Sequence, residues 1–483
     1  MNKIRLLFLL ALVLPFHTEM KAQNLQDTLH HRIEVQIDYY PNDTLIMGYF
    51  YGKGQFAKDT ALKQNGRQFV FQGKDTLPRG MYFVLTRPNS NYVQFVVGAD
   101  QFMKIRTNYL AMNDSLRIEG SEENKILKTY TDFLDEKSPI ARSLKERIGS
   151  GLITEPEKDS LQDVLSGIDK EVKDFQNDIL KQYPKSFTAA LIRINREPEV
   201  PEFKAEGDSL KLLRFEYYKK HYFDNVDFED ERLLYSPFLF PKINTYIENL
   251  TIQLPDSVNH ALDFVLHKFK PGSELFKYFL PYYLNHYATS KYVGMDGVFV
   301  HLVKEYYAKG MAPWMKEENL KKLIAEADKL EPILIGKPAP DITVFDRKGK
   351  PVHLYDLKAG YTILVFWAPD CGHCKKAMPK LAKWYEKHAQ DPDSIKVLSI
   401  CTKLLDKEKG CWEMVDEKKL GNLMNCSDKY LKSKFSIKYN VHTTPSIFVL
   451  DRNKKIMINK IGVEQLDGVL EKLRELEREN AKE

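Results

Sequence analysis

Phe366-Trp367-Ala368-Pro369-Asp370-Cys371-Gly372-His373-Cys374-Lys375 follows directly on the apolar residues Ile363-Leu364-Val365 and opens a segment that reads as a helix. Two cysteines separated by two residues, placed where a strand feeds a helix, have a definite chemistry. The free N–H groups and partial positive charge of a helix N-terminus favour a thiolate, and the thiolate is the sulfur nucleophile. The second cysteine then lies one helical turn later, close enough to attack a mixed disulfide formed on the first. The pattern points to dithiol–disulfide exchange, with Cys371 attacking and Cys374 resolving. His373 stands between the two, and an imidazole there can stabilise the Cys371 thiolate and make the disulfide more oxidising. Lys375 and Lys376 act in the same direction if they are not simply solvated.

Working outward, residues 333–483 read as one α/β domain. Gly336-Lys337-Pro338-Ala339-Pro340 marks its entry. Ile342–Phe345 and Val352–Leu354 flank an Arg347-Lys348-Gly349 turn and predict a hairpin. A strand over 361–367, a helix over about 372–388 and a strand over 395–400 follow. An irregular helical insertion over about 404–440, strands at 446–450 and about 455–461, and a last helix carrying Leu466, Val469, Leu470 and Leu473 complete it. Alternating strands and helices imply crossover units and a central sheet covered on both faces.

The motif segment resembles the active-site segment of the thioredoxin superfamily. Pro379 matches the proline that kinks the active-site helix in thioredoxins, and Thr444-Pro445 resembles the cis-proline segment. With Gly336–Asp341 at its entry, the domain is similar to TlpA/ResA-like exported thiol-disulfide oxidoreductases. The resemblance spans under a third of the chain. It implies a thioredoxin-like fold, Cys371 and Cys374 as the redox pair, and a cis Pro445 holding the Thr444 backbone beside them. It also implies Trp367 packed near the site, with an ordinary core aromatic as the equal reading. No organic cofactor is implied, because the electrons reside on two sulfurs, and a membrane electron donor of DsbD type is implied only by the family. The direction stays open. TlpA/ResA likeness favours reduction; a Cys-Gly-His-Cys site resembles protein disulfide isomerases and favours oxidation or isomerisation. One departure stands out: many thioredoxins carry a buried acid six residues before the first cysteine, and here that residue is Val365.

Rival chemistries fare less well. A structural zinc site needs four ligands, and no second Cys-x-x-Cys accompanies the first, so no metal is expected. A peroxide-reacting cysteine on this fold normally has Thr or Ser three residues before it; Ala368 holds that place. The remaining cysteines are 401, 411 and 426. Cys401 reads as a plain buried thiol. Cys411 and Cys426 lie in the insertion and suit a structural disulfide, but spacing does not choose among the possible pairs.

The first 370 residues contain no cysteine and must fold by burial alone. Residues 24–120 predict an antiparallel β-sandwich, from runs such as Gln68–Phe71, Met81–Leu85 and Tyr92–Val97 separated by turn signals. Residues 121–332 predict an α-helical domain; Leu161, Val164, Leu165, Ile168, Val172, Phe175 and Ile179 follow helical spacing. The stripe Tyr217, Tyr218, His221, Tyr222 and Phe223 reads as helix core. These two parts resemble the domains of unknown function that precede such redox domains in exported Bacteroidetes proteins. Some 310 residues outside the redox domain exceed what thiol exchange requires, so a binding or assembly module with a redox-controlled clasp is a second reading.

Residues 1–22 predict a signal peptide: Lys3 and Arg5, then apolar Leu6–Phe16, then cleavage after Ala22. An uncleaved anchor is the rival reading. Export to a periplasmic or cell-envelope compartment follows. A net charge of +5 with both signs interspersed leaves no footprint for nucleic acid. The expected partners are protein thiols and disulfides.

Overall fold

The computed structural model describes residues 29–480 apart from 89, 389, 392–393 and 404–406. The expected signal peptide, residues 1–22, lies outside the described residues. The chain divides into two compact units, one running up to Arg193 and taking in Tyr235–Pro237, the other holding the rest.

The first unit begins with eight strands: β1 (His31–Asp38), β2 (Thr44–Tyr51), β3 (Gly54–Leu62), β4 (Gln68–Gly73), β5 (Gly80–Leu85), β6 (Tyr92–Val97), β7 (Phe102–Asn108) and β8 (Arg117–Glu119). They form two four-stranded sheets, ordered β4-β1-β7-β8 and β3-β2-β5-β6. Period-two burial builds the core between them. Ile33, Val35 and Ile37 of β1 point inward together with Phe69, Phe71, Tyr82, Phe95 and Ile105. The sandwich is antiparallel with one exception, since β1 and β7 pair in parallel. β7 returns from the second sheet rather than from a hairpin, so nothing constrains it to oppose β1.

Two long helices follow, α1 (Glu122–Gly149) and α2 (Glu155–Gln182). Ser121 caps α1 by accepting the Asn124 N–H. The buried Asn124 amide accepts from Val96 N–H at 2.8 Å and donates to Val96 C=O at 2.6 Å, acting as one more residue on the edge of β6. Asn124→Ala leaves both groups of Val96 without partners in a dry place. It should cost about 2–4 kcal/mol locally and accelerate amide exchange at Val96 by at least about tenfold, as measured by hydrogen exchange of the full chain.

The helical stretch 121–332, read as one domain from sequence, is thus shared between the units: α1 and α2 go with the sandwich. α3 (Phe187–Asn195) ends the first unit and crosses the boundary with its last two residues; the second unit then holds α4 (Gly207–His221), α5 (Leu239–Glu248), α6 (Pro255–Leu266), α7 (Glu274–Ala288), α8 (Asp296–Leu302) and α9 (Glu317–Leu330). Of the aromatic stripe at 217–223, only Tyr222 and Phe223 are buried. They follow the last turn of α4, which itself buries nothing, while Tyr218 donates to Glu197 at 2.6 Å. The reading as helix core holds for the end of the stripe alone.

The C-terminal domain contains β9 (Thr343–Phe345), β10 (Pro351–His353), β11 (Tyr361–Trp367), α10 (Gly372–Lys387), β12 (Ile395–Cys401), α11 (Lys409–Glu417), β13 (Met424–Ser427), α12 (Phe435–Lys438), β14 (Ser446–Leu450), β15 (Ile456–Asn459) and α13 (Leu466–Asn480). Seven strands form one sheet, ordered β10-β9-β13-β12-β11-β14-β15. β11 is buried along its whole length. Tyr361, Ile363, Val365 and Trp367 face the core under α10, α11 and α13, while Leu364 and Phe366 face the opposite core with Phe435 and Tyr439. Burial on both faces is the reason β11 reads as an unbroken apolar run. The insertion expected as helical also supplies β13, which inserts between β12 and β9.

Candidate active site

β11 ends at Trp367, the chain turns through 368–370, and α10 begins at Gly372 with Cys371 as its N-cap. Cys371 keeps extended backbone (φ −86°, ψ 119°), and its Sγ accepts the Cys374 N–H at 3.3 Å. One turn on, Cys374 is fully buried, whereas Cys371 is half-exposed. Opposite them, the Thr444–Pro445 peptide is cis. The Cys371 thiol donates to the Thr444 carbonyl at 3.1 Å, joining a loop 73 residues away to the helix cap. Pro379 lies inside α10.

The two sulfurs are chemically unequal. Partial burial pushes the Cys371 thiol up, but hydrogen bonding from the Thr444 side chain, from the Cys374 thiol and from the backbone N–H groups of Cys374 and His373 outweighs it and holds it below the ordinary thiol value. Burial pushes the Cys374 thiol up to about 11. No carboxylate figures among the groups that shift Cys374, in keeping with Val365 where thioredoxins place an acid.

Titration should show this inequality. In the reduced protein, Cys371 should be alkylated by iodoacetamide with a midpoint below pH 9.0, while Cys374 stays protected until the pH nears 11, as read by mass mapping. The raised Cys374 value contributes stability below the unfolded thiol pKa, and that contribution is lost as the pH rises from about 9 toward about 11. The lowered Cys371 value acts the other way: its contribution is present above the unfolded pKa and is lost as the pH falls through the folded one.

The other predicted residues are placed as follows. His373 is exposed, and what it directs at Cys371 is its backbone N–H rather than its ring. Trp367 is buried in the core that holds Cys374, its Nε1–H donating to Ser399 Oγ at 2.8 Å. Asp370 pairs with Lys403 at 2.6 Å, an ion pair that lowers its pKa. Neither Ser399 nor Lys403 is signalled by sequence, because both reach the site across β12.

Cys401 is bridged to Cys411, and Cys426 is free. This corrects the readings of Cys401 as a plain thiol and of Cys411 with Cys426 as the suited pair. The reason lies in strand alternation. Cys426 pairs in register with Ile400 and faces the core beneath α12, whereas Cys401, one residue on, faces α11 and Cys411. Burial pushes the Cys426 thiol up to about 12, leaving it unreactive.

A cleft of about 470 Å³ opens at Cys371, lined by Ala368, Asp370, Thr402 and Lys403 on one side and on the other by residues drawn from 428–444, among them Asp428, Leu431, Lys434 and Ile437. Among the described residues no three His, Cys, Asp or Glu side chains converge as metal ligands.

Residues 335–458 match the AhpC/TSA family. The thiol-disulfide oxidoreductase ResA of a Bacillus cereus strain is 31% identical over 159 residues, covering 30% of this chain and 82% of its own. The chain belongs to the ResA family of thiol-disulfide oxidoreductases. The oxidoreductase is also 30% identical over 105 residues to sporulation thiol-disulfide oxidoreductase A of Bacillus subtilis, covering 22% of this chain and 61% of that one. A solved domain of a possible thiol-disulfide isomerase from Cytophaga hutchinsonii is 35% identical, covering 30% of this chain and 97% of that one with a TM-score of 0.29. Upstream, residues 31–127 and 159–330 of the oxidoreductase match two domains of unknown function, DUF4369 and DUF5106.

Proposed function

We propose that the protein reduces disulfides in protein substrates, with Cys371 as nucleophile and Cys374 as resolving thiol. The carrying observation is the geometry of the pair: a partly exposed Cys371 that caps α10 and accepts the Cys374 N–H, and a fully buried Cys374 one turn on. The Cys371 thiolate attacks a substrate disulfide. One S–S bond forms, the substrate S–S bond breaks, and one substrate thiolate leaves. Cys374 then loses its proton and attacks Cys371 Sγ, closing the enzyme disulfide and releasing the second substrate thiol. Two electrons pass to the substrate, so a dithiol donor must reduce the enzyme again; a membrane donor of DsbD type meets that need. The exposed His373 ring supports reduction over oxidation, since the imidazole makes no hydrogen bond to the sulfur it would have to stabilise. The Cys401–Cys411 bridge suits an oxidising, exported compartment, as does the N-terminal leader-like sequence. No helix among the described residues is long and apolar enough to cross a membrane.

The test is the reduction potential of the Cys371–Cys374 couple in the full chain, equilibrated in glutathione buffers. A value near about −270 mV is expected for a reductase. A value toward about −180 to −120 mV would assign oxidation or isomerisation instead.

A further inference from the structure

The wall of the cleft formed by residues 428–442 has two properties that exchange chemistry at the sulfurs does not require. The first is exposed apolar surface: Leu431 is 47% and Ile437 72% exposed, and both line the cleft that opens at Cys371. Large aliphatic side chains left in water beside a reactive sulfur are surface that a bound segment would bury.

The second is one-signed charge. Lys429, Lys432, Lys434 and Lys438 are all exposed on this segment; of these Lys434 lines the cleft, with His442, while Lys438 donates to the Asp341 carbonyl at 2.7 Å. The segment's only carboxylate, Asp428, lines the cleft but is itself buried, its oxygens accepting from the N–H groups of Lys432 and Ser433 and from the Ser433 hydroxyl. These contacts organise the turn, and Asp428 makes no ion pair with Lys434 among the described residues. Lys434, held in left-handed backbone at φ 51°, makes no ion pair among the described residues. On the facing wall the charges cancel, because Asp370 is already joined to Lys403. Four lysines against one carboxylate leave residues 428–442 net positive beside the cleft that opens at Cys371, next to an apolar strip.

We propose that the cleft selects its substrate as an extended acidic polypeptide segment bearing the cysteine to be reduced. An aliphatic side chain of that segment lies against Leu431 and Ile437, and its carboxylates face Lys434 in the cleft and the lysines of the adjoining surface, Lys432 among them. The inference rests on Cys371 being the exchanging thiol. Complementary charge of this kind acts mainly on the rate of encounter and is screened by salt.

The test uses the reduced full chain and three peptides of equal length, each with one cysteine capped as a mixed disulfide, a neighbouring leucine, and flanks of Glu, Gln or Lys. Each second-order rate is divided by the rate with hydroxyethyl disulfide, a small neutral substrate, for the same protein. The Glu peptide should outrun the Lys peptide by about tenfold or more at low salt, with Gln between, and the gap should close at about 0.5 M salt, where screening is stronger than at physiological ionic strength. In the double variant Lys432→Glu, Lys434→Glu the order should invert. Equal normalised rates for all three peptides, or an order that the double variant leaves unmoved, would overturn the inference while leaving exchange at Cys371 intact. Absence of reaction with hydroxyethyl disulfide itself would overturn the exchange reading, and the substrate preference with it.

Discussion

Cys374→Ser should convert the protein into a covalent trap, and Cys371→Ser should abolish exchange altogether. In the first variant the half-exposed Cys371 keeps its place at the cap of α10 and its contact with Thr444, so it still attacks a substrate disulfide. No thiol remains one turn away to release the product. Multiple turnover should fall by at least about 10³-fold, equivalent to about 4 kcal/mol on the barrier, while a stoichiometric mixed disulfide accumulates. Non-reducing electrophoresis and intact mass read the adduct directly. In the second variant Cys374 alone is buried and held as a thiol, so no adduct should form. The pair of results also separates an enzyme from a redox-controlled clasp. An enzyme with both cysteines reduces many substrate disulfides per chain when a dithiol donor is supplied. A clasp exchanges once and stops. An adduct on Cys371→Ser would sink the assignment of nucleophile and resolver.

Trp367→Ala should be the most damaging single change in the redox domain outside the sulfurs. Trp367 is 1% exposed, ends the strand that delivers Cys371, and shares its core with Cys374. Truncation leaves a cavity under the active-site turn and strands the buried Ser399 hydroxyl that accepts the indole N–H. The expected cost is about 3–5 kcal/mol. Trp367→Phe keeps most of the volume and loses only the hydrogen bond, for about 1–2 kcal/mol. Because the chain forms two units, a single global melt is a poor gauge. Alkylation of Cys374 in the folded, reduced protein is a local one: the Ala variant should expose this thiol far more than the Phe variant does. Equal protection in wild type and Trp367→Ala would show that the indole does not seal the resolving cysteine.

Much of the redox domain was legible residue by residue. The strand 361–367, the helix after it and the cysteine pair at their junction depend on neighbours within a few positions. A doubly buried strand must be apolar throughout, and an N-cap cysteine needs only the helix that follows it. The hairpin at 343–353 was legible for the same reason, with its turn residues between two short apolar runs. β13 was not. Met424–Ser427 is four residues long, sits in a segment of mixed helical and turn character, and becomes a strand only because β12 and β9 offer it edges. In the sandwich, strand positions followed from alternation, but the parallel pairing of β1 with β7 did not, since alternation says which face a residue takes and nothing about its neighbour's direction.

The sequence by itself pointed to the chemistry: a Cys-x-x-Cys pair at a strand-to-helix junction, where the free N–H groups of a helix N-terminus favour a thiolate. Tertiary structure alone decided what that chemistry meets. It brought the Thr444 carbonyl to 3.1 Å from the Cys371 sulfur and buried Cys374, which pushes its thiol up to about 11. It joined Cys401 to Cys411 rather than to Cys426 and set the lysine-bearing wall beside the sulfur. Most of these join residues distant in the chain, and the disulfide was decided by which face of the sheet each cysteine takes. Their energies depend on burial and on register between strands, quantities that no local stretch of sequence contains.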